Sequence, residues 1–118
     1  MFSDVFCRPD LNRLIWNGQQ RAEGKQEDFN PVLRLWLPQT PCQWFLTDCD
    51  VRDDEWVYGL CISGDDDEVE LNYWSRTQFE RLAAVRSPFR LQSSSRFGFH
   101  APLSSYLRAV TRKKVWGF

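Results

Sequence analysis

Leu33, Leu35 and Leu37 alternate with Val32, Arg34 and Trp36, a period of two that predicts a strand over residues 32–37 with three leucines on one face. Pro38 and Pro41 close it. Three further runs of strand length, residues 43–48, 56–62 and 68–74, are separated by polar turn residues, and their short connections predict an antiparallel meander. The last of these connections, Ser63-Gly64-Asp65-Asp66-Asp67, has hairpin length, with Gly64 the easiest place for a positive φ.

Helical spacing appears in three places. Leu11, Leu14 and Ile15 stand at i, i+3 and i+4 between Pro9-Asp10 and Asn17-Gly18, which predicts a helix of about two turns with Asp10 as N-cap and Gly18 as its stop. Residues 19–30 then read as a polar loop. Ser75-Arg76-Thr77-Gln78 matches the capping box, so Ser75 opens a second helix with Phe79, Leu82 and Ala83 turned inward. A third helix starts at Pro102 or Ser104, placing Leu103, Tyr106, Leu107 and Val110 inward and Arg108 and Arg112 on its wet side. Between the last two helices, residues 89–92 suit a short strand and Ser93-Ser94-Ser95 a turn or flexible link. The expected product is one α+β domain over residues 1–118. A small antiparallel sheet of four to five strands would pack with a short N-terminal, a middle and a C-terminal helix.

Composition supports that picture. A chain of 118 residues suits one core, and eighteen aromatic residues supply apolar area without disulfide support. Cys7, Cys42, Cys49 and Cys61 form no CxxC pair and His100 lies far from them, so neither a metal nor another cofactor is expected. No apolar run reaches membrane length and no leader is evident, so a soluble, cytoplasmic protein with reduced thiols is expected.

Charge changes the picture more than any motif. Residues 1–75 carry six Lys/Arg against fifteen Asp/Glu, net −9, while residues 76–118 carry nine against one, net +8. The overall −1 therefore hides two poles.

The order of several short segments resembles one bacterial family, that of domain of unknown function 2958. They are Asn17-Gly18, Asn30-Pro31-Val32, Arg34-Leu35-Trp36-Leu37-Pro38, Trp44-Phe45-Leu46-Thr47-Asp48, Tyr58-Gly59-Leu60-Cys61, Glu70-Leu71-Asn72-Tyr73-Trp74-Ser75, Arg96 and Pro102-Leu103-Ser104-Ser105-Tyr106. The resemblance implies a small α+β protein of plasmids, integrative elements and phage-like islands, without an established activity. Two positions depart from the family pattern. Asn72 stands where a glycine is usual, a residue that still tolerates left-handed backbone, and Phe97 replaces an aspartate after the arginine.

Four groupings carry candidate chemistry. Asp48, Asp50 and Glu70 would bind a divalent ion if neighbouring strands brought them together; otherwise they pair with Arg34 or Arg96, or face solvent. His100 near Ser104 and Ser105 lacks the third group that nucleophile activation needs, so no catalytic residue is assigned and an enzyme is not expected. The basic set Arg96, Arg108, Arg112, Lys113 and Lys114, with Arg86 and Arg90 and interleaved with Phe89, Phe97, Phe99 and Trp116, has the composition of a single-strand-binding surface or nuclease, although Phe89 and Phe97 are better explained by burial.

The acidic set Asp53, Asp54, Glu55, Asp65, Asp66, Asp67 and Glu68 falls in two connections. If both lie at one end of the sheet, they form a negative patch able to mimic phosphates against a cationic protein, with Trp56 or Trp74 as anchors where these lie outside the core; otherwise they are solvated turns that aid solubility. The leading expectation is thus an accessory protein that binds a macromolecule, most concretely an inhibitor of a host restriction or CRISPR-type defence complex. Nucleic acid is the alternative partner.

Overall fold

The computed structural model describes residues 5–63 and 68–115, with side chains as far as residue 111. Helix α1 (Arg8–Ala22) precedes β1 (Leu33–Trp36), β2 (Gln43–Cys49), β3 (Trp56–Ser63) and β4 (Glu68–Ser75), followed by α2 (Arg76–Ala84), β5 (Gln92–Ser94) and α3 (Leu103–Val115). The strands form one antiparallel sheet in the order β4-β3-β2-β1-β5. This is the expected α+β fold, with the meander intact and β5 added beside β1. No helix among the described residues is long and apolar enough to cross a membrane.

Residues paired across antiparallel strands share a face, so the register sorts the core into two sides. On one side Leu33, Leu35, Leu46 and Val57 pack with Leu14 of α1 and Phe79 of α2. On the other, Phe45, Leu60 and Ile62 meet Leu103 of α3, with Tyr106, Leu107 and Val110 packed beside them. The third helix therefore turns inward the four residues its spacing predicts. A fully buried leucine such as Leu14 contributes about 1.5–3 kcal/mol by leaving water.

The capping prediction for α2 holds: Ser75 Oγ accepts from Gln78 N–H at 3.2 Å, and Phe79 is buried. Leu82, expected inward, is instead 40% exposed, while Phe79 is buried and Ala83 packs against the core.

Three other local expectations need correction. Helix α1 runs fifteen residues, well past Asn17-Gly18, and its N-cap position is Cys7, with Asp10 already inside the first turn. Gly18 does not stop the helix because it serves packing: a Cβ there would sit 1.9 Å from the Cys49 carbonyl oxygen. The short strand falls at Gln92–Ser94, so Ser93 and Ser94 pair with Leu35 and Arg34 and are no flexible link. Asn72 lies in the middle of β4 opposite Gly59, and its tolerance of left-handed backbone goes unused; among described non-glycine residues only Gln39 has positive φ.

Candidate functional site

The pairing of β2 with β3 slips by one residue between Leu46 and Asp48, leaving Thr47 as the extra residue of a bulge. The slip turns Asp48 to the face that carries its partner Tyr58. There Arg21, one residue from the end of α1, meets it: Nε donates to Oδ2 at 2.7 Å and an Nη to Oδ1 at 3.1 Å. Thr47 Oγ1 donates to the same carboxylate at 2.6 Å. Asp48 is fully buried, and its hydrogen bonds hold the Arg21 guanidinium more firmly protonated than usual against the opposing effect of burial. Arg21 also lies over the rings of Tyr58 and Phe29, at 4.9 and 5.5 Å from their centroids.

Beside this pair a groove of about 320 Å³ opens between α3 and the sheet. Phe29, Tyr58, Leu71, Leu103 and Leu107 supply its apolar walls, with Glu27, Asp28 and Ser104 also lining it. Asp28 fixes the start of α3 by accepting from the Ser104 backbone N–H and from its hydroxyl.

Strand β4 borders the groove and forms the outer edge of the sheet. It pairs with β3 over all eight residues and with nothing on its other side among the described residues. Val69, Leu71 and Tyr73 stand opposite Ile62, Leu60 and Tyr58, so they form one row on the α3 side, yet they are 37–44% exposed. Helix α3 covers β2 and β3 and stops short of them. Burial still disfavours the phenolate of Tyr73, whose ring stacks tilted on Tyr58 at 5.0 Å. Glu68, Glu70 and Asn72 alternate with that row and point to the other face.

One edge amide is capped by the strand itself. Tyr73 N–H donates to Asn72 Oδ1 at 2.8 Å, while Asn72 Nδ2 donates to Glu70 Oε1 at 3.1 Å. The Tyr73 amide therefore points away from β3. Since a strand's amides alternate between its two sides, those of Val69 and Leu71 face the open edge as well.

The described acidic residues of the two connections, Asp53, Asp54 and Glu55 on one side and Glu68 on the other, are not brought to one end of the sheet. The β2–β3 connection lies at the Trp56↔Ser75 end of β3, and the β3–β4 connection at the Ser63↔Glu68 end. An eight-residue strand separates them, roughly 25 Å at the usual rise. Two of the first group also have work inside the fold. Glu55 accepts from Ser75 Oγ and from the Thr77 hydroxyl and amide, and the Ser75 bond above all lowers its pKa. Asp54 pairs with Arg76 at 3.1 Å. Asp53 is exposed and accepts from the Glu55 amide. Asp65, Asp66 and Asp67 lie outside the described residues; Glu68, exposed at the start of β4, is their described neighbour.

Trp74 is partly buried against the core and is no free anchor, whereas Trp56 is exposed. The carboxylates weighed for a metal do not converge: Asp48 is held by Arg21, Asp50 pairs with Arg52 at 3.5 Å and Glu70 accepts from Asn72. Neither Arg34, which donates to Gln43 and lies over Trp36, nor Arg96 partners them. Among the described residues no three His, Cys, Asp or Glu side chains form a metal-binding group. His100 is exposed, and the Ser104 hydroxyl is spent on Asp28.

In the basic third, Arg96 and Arg108 are exposed, and the side chains of Arg112, Lys113 and Lys114 lie outside the described set. Phe89, expected to be buried, is 56% exposed on the short link after α2, while Phe97 is half-buried against the α3 cluster. A second, more polar groove of about 780 Å³ runs between α1 and the segment before α3, lined by Arg13, Trp16, Asn30, Phe97 and His100 among others.

Two of the thiols are buried. Cys49 and Cys61 behave as small hydrophobes whose burial pushes their pKa up to about 12 and about 11.

A model of the family described as protein of unknown function (DUF2958) matches residues 6–115, and the chain belongs to that family. No curated protein and no solved structure matches it.

Proposed function

We propose that this DUF2958 protein is a binding module whose open β4 edge takes an extended segment of another protein as a sixth strand. The observation that carries the reading is the full-length edge strand whose outer side is unpaired among the described residues and whose apolar row, Val69, Leu71 and Tyr73, remains in contact with water. Exposed edges of this kind are ordinarily shortened, covered or charged, because they template pairing with another chain. Added strands gain affinity from main-chain hydrogen bonds and specificity from alternate side chains.

The charge pattern names the partner's chemistry. Glu68 and Glu70 line the face opposite the apolar row, and Asp65, Asp66 and Asp67 precede them in sequence. A partner segment that alternates apolar residues with Lys or Arg would satisfy both faces. A second copy of β4 would instead set like carboxylates on one face, which destabilises a strand pair. The acidic contribution thus comes from the β4 end of the molecule alone. A host defence complex, with cationic segments that handle nucleic acid, is the most concrete partner of this class.

A displayed library of short linear peptides, selected on the protein and counter-selected on Leu71→Pro, tests the reading. Proline at 71 removes an edge-facing amide without touching the β3 ladder, a position where strands tolerate it. Enrichment of alternating cationic and apolar peptides that fail to bind folded Leu71→Pro is the expected result. Binding unaffected by Leu71→Pro, or a salt-sensitive shift of labelled single-stranded DNA with no peptide enrichment, would overturn it in favour of another surface.

A further inference from the structure

We infer that the groove between α3 and the β3–β4 half of the sheet is a pocket for one lysine or arginine side chain of the partner. The inference rests on the strand-addition reading only in taking that partner to be a protein. Its own basis is the lining of the groove.

The walls suit an apolar stem. Tyr58, Leu71 and Leu107 offer surface for a run of methylenes, and the volume of about 320 Å³ exceeds what one long side chain fills. Leu71 belongs both to the groove and to the exposed row of β4, so a side chain lying beside that row has direct entry.

The charge of the lining suits a cation. Arg21 lines the groove, but its positive charge is cancelled by Asp48, which receives two of its N–H groups. What is left over is the pair of carboxylates of Glu27 and Asp28. Asp28 is already hydrogen-bonded to Ser104, where the start of α3 offsets part of its charge, while Glu27 has no hydrogen bond or ion pair among the described residues. An anionic side chain would meet these two charges unfavourably. A purely aliphatic one would fill the walls and leave Glu27 unanswered. An ammonium or guanidinium on an apolar stem answers both parts of the lining.

One face of Phe29 and one of Tyr58 are already taken by the Arg21 guanidinium, and Tyr58 also stacks on Tyr73. The incoming cation is accordingly assigned to the two carboxylates, and its stem to Leu71, Leu107 and the edge of Tyr58. This predicts a recognisable break in the partner's pattern: one basic residue on the apolar side of an otherwise alternating segment.

Capped single amino acids provide a probe that cannot add a strand. The N-acetyl, N-methylamide derivatives of lysine, arginine, norleucine and glutamate are titrated into the isotope-labelled protein while the methyl signals of Leu71, Leu103 and Leu107 are followed. Lysine and arginine are expected to give saturable shifts at these methyls that weaken with added salt, with norleucine and glutamate inert. Glu27→Gln, on the exposed rim, should leave the remaining spectrum unchanged and weaken the lysine response about threefold, as expected of a partly exposed ion pair. Equal shifts from norleucine, or lysine shifts confined to residues of the Trp16 and His100 groove, would overturn the assignment. The two readings fail separately. Groove shifts with no peptide enrichment leave the pocket and remove the sixth strand, whereas enrichment with silent methyls does the reverse.

Discussion

Arg21 and Asp48, twenty-seven residues apart, are joined by two N–H to carboxylate bonds at the point where the end of α1 meets the bulge of β2. That one contact ties together the length of the helix, the register slip at Thr47 and the floor of the groove. Removing either partner leaves the other's charge poorly compensated, and for a fully buried carboxylate this costs about 3–5 kcal/mol. Arg21→Ala is expected to lose that much in urea unfolding at neutral pH, and Asp48→Ala less, because the Arg21 side chain it strands is 29% exposed. The double variant Arg21→Met/Asp48→Leu should be far milder than the sum of the two.

Gly18 and Gly59 are fixed by close backbone approach. A Cβ at 59 would lie 2.1 Å from the Phe45 carbonyl oxygen, and one at 18 would lie 1.9 Å from that of Cys49. Both obstacles are main chain, so relief requires α1 or β2 to move. Gly18→Ala and Gly59→Ala should each lower the thermal midpoint by several degrees or more, at about 2–3 kcal/mol of overpacking, although alanine normally favours a helix. Differential scanning calorimetry decides the sign.

Glu55 makes stability depend on acid. Its pKa in the fold lies below the ordinary value of 4.5, chiefly because Ser75 Oγ–H donates to its carboxylate. The unfolded chain therefore binds this proton more tightly. The stabilisation is complete above about pH 4.5 and is lost as pH falls through the depressed folded value. Glu55→Gln should flatten the acid limb of the stability curve while changing little at pH 7 beyond the lost cap bonds of α2, as followed by denaturation across the acid range.

Asn72 covers the amide that an added strand would use at Tyr73. Asn72→Ala exposes it. The expected outcome is severalfold tighter capture of selected peptides together with stronger concentration-dependent association, seen by light scattering. Unchanged behaviour in both measurements would mean that the amide is not a docking point.

The parts of this fold that were legible share a physical cause: their residues obey a local period. Leucines at 33 and 35 alternate into the core, Ser75 caps α2, and Leu103, Tyr106, Leu107 and Val110 repeat on one helical face. The errors occur where a residue answers to a distant partner. Asn17-Gly18 has the local chemistry of a stop, yet Asn17 Nδ2 donates to the Thr47 carbonyl and Gly18 seats against Cys49, both on β2. Ser93 and Ser94 have loop composition, and β1 recruits them as a strand.

The site was legible only in part. Glu68 and Trp56 are exposed, and the described acidic residues of the first connection lie at the opposite end of β3 from Glu68, because successive connections of a meander fall at opposite ends of the strand they share. Residues 68–74 read as a strand by length, and the alternation of Val69, Leu71 and Tyr73 with polar neighbours is a pattern that ordinarily marks a core face. Nothing in Val69, Leu71 and Tyr73 reveals that α3 is placed over β2 and β3 and leaves the outer strand uncovered.

Amide hydrogen exchange on the protein with a selected peptide bound tests the sixth strand most directly. The account predicts new protection at the edge-facing amides of Val69, Leu71 and Tyr73, with the β3-facing amides of Glu70 and Asn72 little altered. Protection confined to the Trp16 and His100 groove, with those three amides exchanging as fast as in the free protein, would contradict it.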